Sequence, residues 1–500
     1  MNPFKQLIIL IAGGYLIAAC TPQVPQDYAD SDALPTIYPD YTNVTIPVNI
    51  APLTFELDEQ ADNMIARYSA GDEEIVCEGK MQPTMSSWRT LVEKAQGGAI
   101  SVDVYAQHGD RWTHYKPFSI YVSADSIDPY LSYRLIQPSF VSYEALTISQ
   151  RCLENYDESV IYDNMLCGFE KDGQCINCHN YQQHNPQRMQ FHARQNCGGT
   201  VIAYDGTLQK INMRNDSILS AGVYPAWHPW LKLIVYSTDK THQSFHTTNP
   251  NKVEVYDTES DLIAYDIDRN EVTNLENDTT EFEVFPAWAP DGRTLYYCSA
   301  HFDRQYPNIS KASEVVKRSS QLHYNIYKKS FDPDTRQFGP RELVFCADTL
   351  SMSAVLPRIS PDGRYLVFTM AAYGYFHIWH HDADLWQLDL QTGEARELKE
   401  INSPDTESYH TWSSNGKWLV FSSRRDDGTF TRPFFAHADA TGHFGKPFEL
   451  PQADPNYHRE FLKCYNIPEL MRGPVTIAPQ TFADVLKGDA VSVKYVQQLK

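Results

Sequence analysis

The sequence predicts an all-β chain: an N-terminal β-sandwich-like domain followed by a β-propeller of about six blades. Three observations predict it. Short runs of alternating apolar and polar residues fill positions 40–150. A motif of proline or histidine, then tryptophan or isoleucine, a tight polar turn and an alternating strand recurs in the second half. Turn chemistry of the Pro-Asp-Gly and Gln-Thr-Gly type separates the strands of each repeat.

In chain order, "MNPFKQLIILIAGGYLIAAC" has one lysine, a short apolar run and small residues before Cys20. This is a secretory signal over 1–19, too short to span a bilayer. Ile17-Ala18-Ala19-Cys20 resembles the bacterial lipoprotein box, which implies cleavage before Cys20 and a lipid on its thiol. Residues 20–39 are rich in Pro, Asp and Gln and read as a flexible tether. The expected sandwich-like domain, 40–150, includes one short helix over Ser86 to Gly98, ended by glycine. Residues 151–198 lose the alternation and are rich in Cys, His, Asn and Gln, so a junction of irregular and helical turns is expected there. The repeats occupy 199–475, and 476–500 is a C-terminal tail.

Four repeats align directly: Val223–Thr238, Val284–Ser299, Val355–Met370 and Ser408–Ser423. Each is followed by a second pair of strands, so each unit is a four-stranded meander. At roughly 40–50 residues per blade the region holds about six. Long connections after the second strand of each unit emerge on one face. They carry His242, His246, His301, Tyr373, His377, Trp379, His380, His381, Arg424 and Arg425, a candidate binding face. His377, His380 and His381 also raise a metal reading, without a supporting carboxylate–His spacing.

The chemistry-bearing motif is "DGQCINCHN", Asp172 to Asn180. Two thiols three apart and an adjacent imidazole are what a thioether-linked c-type haem requires: Cys175 and Cys178 attach it and His179 binds iron. The second axial ligand is His192, with Met189 as the alternative; both lie far enough along the chain to reach the other side of the ring. Competing readings are a Cys175–Cys178 disulfide or a zinc half-site. Cys152 with Cys167, or Cys167 with Cys197, is a further possible staple. Net charge is −21, which argues against nucleic acid as a partner. No Gly-x-Ser-x-Gly elbow or outstanding carboxylate pair marks an enzyme.

Pro-Ala-Trp-x-Pro, Ser-Pro-Asp-Gly and Ser-Asp-Leu-Ile-Ala-Tyr-Asp resemble the TolB-like propeller repeat. With the junction residues Cys175, Asn177, Cys178, His179, Asn185, Pro186, Met189, Phe191, His192, Arg194, Gly198, Gly199 and Thr200, the chain after residue 36 resembles a family of Bacteroidetes TolB-like propeller lipoproteins with a cytochrome c-like motif. The resemblance implies an outer-membrane or periplasmic location and covalent haem c serving electron transfer or redox sensing. The alternative is a haem-free module binding a protein or glycan in an envelope complex. Fold alone supplies no reaction.

Overall fold

The computed structural model describes residues 22–138, 145–167 and 174–499. The expected signal peptide and Cys20 lie outside the described residues, as do Asp172 and Gly173 of the cysteine motif. Among the described residues no helix is long and apolar enough to cross a membrane.

The N-terminal region is a seven-stranded mixed sheet with a helix on it. The helix, Met85–Ala95, is capped by the Thr84 hydroxyl, which accepts from the Ser87 N–H at 3.2 Å. Trp88, Leu91, Val92 and Ala95 form its buried stripe. Among the described residues the other sheet of this region is the two-stranded pair Ile37–Tyr38 with Glu56–Leu57, short of the second layer a sandwich requires. Its apolar side chains merge into one core with the helix and with Trp418, Val420, Phe435 and Phe448 from the C-terminal half. The Trp418 indole also donates to the Ser126 carbonyl at 3.1 Å.

The rest is a propeller-like ring of antiparallel sheets. Their inner strands, in chain order, are Gln174–Tyr181, Val223–Trp227, Glu281–Trp288, Ser353–Ile359, Glu407–Trp412 and Cys464–Met471. Each touches the next, and the last touches the first. The four aligned repeats supply the middle four sheets.

Several segments depart from the expected domain limits. Within the expected 20–39 tether, Ala29–Asp30 pairs with Thr113 and His114 at the edge of the N-terminal sheet, and Ile37–Tyr38 pairs with Glu56–Leu57. Tyr130–Ile136 and Thr147–Cys152, expected in the N-terminal domain, pair with each other in the sheet of the last inner strand, Cys464–Met471. Chain from both ends thus closes the ring. The described part of the 151–198 junction, expected to be irregular, is largely strand: Glu158–Asp163, Gln174–Tyr181 and Arg188–Gln195. Its polar residues lie in a ladder whose alternate positions, Met189, Phe191 and Ala193, are fully buried. The tail after 475 is ordered too. A helix, Pro479–Lys487, buries Phe482, Ala483 and Leu486, and Val491–Ser492 and Lys494–Tyr495 extend two outer sheet edges.

Candidate functional site

The cysteine motif sits on the innermost strand of the first sheet. Cys178 has left-handed backbone, φ 57°. So do Tyr224, Phe285, Leu356, Tyr409 and Ile467, at φ 47°, 53°, 56°, 46° and 53°, one on each other inner strand. The pairing register shifts at each of these positions. This is a β-bulge, repeated around the ring. The residue that follows is Pro225, Pro286, Pro357, His410 and Pro468 in those five strands, and His179 in the first. Cys178-His179 therefore occupies the position that Tyr-Pro, Phe-Pro, Leu-Pro, Tyr-His and Ile-Pro occupy elsewhere.

All six bulge residues line one chamber of about 30 Å³ on the ring axis, with His179. A space of that size holds a water or two, since one water needs roughly 10–15 Å³ measured this way. A flat porphyrin does not fit. Cys175 is absent from the chamber wall; it is half-buried and packs against the cluster containing Ile176, Met189 and Phe191. The two thiols therefore do not face one space.

The expected sixth ligands are also committed elsewhere. His192 pairs across the ladder with Asn177 and Thr200, and its Nδ1 lies 3.1 Å from the Thr200 hydroxyl. Met189, three residues earlier on a regular strand, points to the opposite face and is fully buried. Burial pushes His179 and His192 down to about 3, so both are neutral. Neither ring nitrogen of His179 completes a hydrogen bond of ordinary geometry, although the Ile467 backbone weakly raises its basicity. The residues present do not fit a c-type haem. The Cys175–Cys178 disulfide is not formed either: both thiols are free.

A different thiol pair meets. Cys197 hydrogen-bonds Cys167, and burial together with that neighbour raises the Cys197 thiol. Mild treatment with oxidised glutathione is expected to join Cys167 to Cys197 and to leave Cys175 and Cys178 unlinked. Non-reducing peptide mapping reads this, and a 175–178 link contradicts it.

The expected binding face is mostly closed. A long hairpin, Leu233–Phe245 with Val253–Asp266, lies against the 373–381 loop. His380 is fully buried with its Nε2 2.9 Å from Glu254, and His377 is fully buried with its Nε2 3.1 Å from the Gly374 carbonyl. The Arg424 guanidinium stacks 3.3 Å from the centre of buried Trp379. Arg425 binds Glu407 at 3.0 Å, and His381 meets Asp405 at 2.9 Å. Tyr373 packs beside His380. His301 lies between Glu281 and Asp303, and His246 is half-buried. Of the ten residues, His242 and His301 stand out from the surface. The three clustered histidines take three different partners. Among the described residues no group of three His, Cys, Asp or Glu is placed to hold a metal ion.

The open cavity is at the other end of the axis. A funnel of about 530 Å³ opens among the short turns. Trp227, Trp230, Trp288 and Trp412 and the prolines of the repeat motif form its walls. Asn180, Arg358 and Glu469 line both funnel and chamber and so form the floor. Asn180 donates to Glu469 at 3.0 Å. Burial pushes Glu469 up to about 7, with Arg358 and Asn180 pulling it down. Arg358 gives one N–H to the Pro357 carbonyl at 3.0 Å, and burial lowers its basicity.

Sequence reasoning missed this funnel, although Pro-Ala-Trp-x-Pro was its signal. The motif marks where an inner strand reaches the mouth. Gly292, at φ +56°, lies against the Trp230 ring and the His228 imidazole, with no room for an added methyl group. Gly292→Ala is expected to cost about 1–3 kcal/mol and to displace Trp230, read as a lower melting temperature with altered tryptophan fluorescence. An unchanged melt and spectrum contradict this placement.

No family model matches the chain, and no curated protein matches it. Among solved structures it aligns with TolB from Acinetobacter baumannii at 12% identity and TM-score 0.42, over 77% of this chain and 85% of that one. It aligns with the β-propeller domain of the Trilobed protease from Pyrococcus furiosus at 11% identity and TM-score 0.31, over 72% and 96%. Kuenenia stuttgartiensis hydrazine synthase aligns at 14% identity and TM-score 0.31, over 54% and 65%. At these scores no activity passes from any of them to this chain. The strand pairings by themselves make the chain a β-propeller-like protein with an accessible cavity on the axis.

Proposed function

We propose that this protein is a TolB-like, six-bladed propeller that works as a binding module of the cell envelope, docking its partner in the axial funnel. The supporting observation is the funnel itself. It is a cavity of ligand-binding size, about 530 Å³, walled by aromatic residues with a few polar groups at its floor, the usual make-up of a binding site. The opposite face supports such a role less well, because most of the aromatic and charged side chains of its long loops are spent on one another, with Phe245, Tyr306, His242 and His301 left exposed. Electron transfer and redox sensing through haem c are left out of the proposal, since the motif that suggested them fits a bulge of the inner strand.

The signal-like N-terminus supports export and a lipid on Cys20, with the propeller tethered at the outer membrane. Cys20→Ser is expected to release the protein from the membrane fraction; continued membrane association contradicts the tether. For the binding reading, a photo-crosslinking residue is placed at Trp230, on the funnel rim, or at His242, on the far face. Envelope material is expected to be captured at Trp230 and not at His242. Capture at His242 alone would overturn the assignment.

A further inference from the structure

We infer that the funnel takes the uncharged end of an oligosaccharide. This rests on the funnel being the docking site and adds the chemical class of what docks.

The edges of the inner strands are poor templates for a peptide. Pro225, Pro286, Pro357 and Pro468 follow the bulges, and proline has no N–H to offer an added strand. Main-chain pairing, the usual way an extended peptide joins a sheet, is therefore short of donors here. The funnel is also a dead end. Beneath its floor lies the 30 Å³ chamber, and beyond that the hairpin and the 373–381 loop pack together. A chain cannot thread through, so it presents an end.

A peptide end carries charge. The floor sets Arg358 beside Glu469, so a terminal ammonium drawn to Glu469 also meets the guanidinium, a terminal carboxylate drawn to Arg358 also meets Glu469, and neither finds a floor of one sign. The chain's net charge of −21 further disfavours an anion. A neutral sugar meets neither penalty. Its vicinal hydroxyls both donate and accept, matching a carboxyl, a guanidinium and the Asn180 amide together. Its flat C–H face suits an indole wall, and Trp230 is 49% exposed at the rim.

The test titrates the full mature protein with cellotriose, maltotriose, mannotriose and chitotriose, read by tryptophan fluorescence and calorimetry. A proline-rich decapeptide is the comparison. At least one trisaccharide is expected to saturate. Trp230→Ala and Glu469→Gln are each expected to weaken it about tenfold or more, the loss of one good contact to a charged or aromatic group, while His242→Ala leaves it unchanged. Trp230 lies on the exposed rim, so its variant folds; if Glu469→Gln melts early, Arg358→Lys replaces it. No saturation by any saccharide, or saturation that survives both funnel substitutions, overturns the inference. Peptide binding sensitive to Trp230→Ala, without saccharide binding, overturns the sugar class and leaves the funnel reading standing. Loss of both, with no capture at Trp230, overturns both.

Discussion

His179→Pro is expected to leave the protein folded at neutral pH and to make it more resistant to acid than the wild type. Four of the six inner strands already carry proline at this position, after a residue with the same left-handed backbone. The substitution thus copies what its neighbours do. The acid effect follows from burial. His179 is held down to about 3 in the folded chain, against an ordinary 6.5. The unfolded chain takes up a proton below about 6.5 that the folded chain refuses, so this histidine's contribution is present above 6.5 and is lost as pH falls towards 3. The wild type therefore loses, relative to the variant, on the order of 4 kcal/mol by pH 3. The difference between the two curves is the quantity to read. Buried carboxyls such as Glu469, raised to about 7, gain stability on acidification and would mask the slope in either protein alone. Denaturant midpoints at pH 7, 5 and 4 measure it. A variant that fails to fold at pH 7 contradicts the equivalence of the six bulges.

Glu254→Ala is expected to be among the most damaging single changes outside the apolar core. Glu254 and His380 are both buried and meet at 2.9 Å, joining the long hairpin to the loop that closes the far end of the axis. Removing the carboxylate leaves the imidazole without that partner in an apolar setting beside Val253, Ile378 and Trp379. Removing one side of a buried hydrogen bond to a charged group costs about 1–3 kcal/mol. The loss should be local as well as global. The hairpin tip around His246 becomes a protease-sensitive site while the funnel tryptophans keep their fluorescence. Equal sensitivity to protease in both proteins would show that the pair does not hold the hairpin down.

Much of the ring was legible because its cause is local. Alternation, Pro-Asp-Gly turns and a repeated Trp-containing strand end are short-range signals, and they located four sheets by residue number. The helix at Met85–Ala95 was legible for the same reason. What escaped depends on pairings far apart in sequence. Nothing in Tyr130–Ile136 indicates that its neighbour is Cys464–Met471, so a blade strand was assigned to the preceding domain. The N-terminal sheet looked like half of a sandwich because a strand pattern does not say whether a second sheet or a helix covers it. The segment around Cys178-His179 escaped as a strand for a more specific reason. A bulge breaks the period of two, and Gln, Asn and His beside it remove the apolar signal, so an inner strand read as an irregular connector. The long loops misled in the opposite direction. Their aromatics, histidines and arginines were abundant because the far face needed closing.

The funnel reading stands on Cys175, Cys178 and His179 being strand and bulge rather than a haem attachment site. The direct measurement is the intact mass, under denaturing conditions, of protein exported from a host that carries c-type haem-attachment machinery. The expected mass is that of the processed chain with its lipid, and Cys175 and Cys178 both alkylate once the chain is unfolded. A mass raised by one porphyrin that survives denaturation, with both thiols blocked, contradicts it.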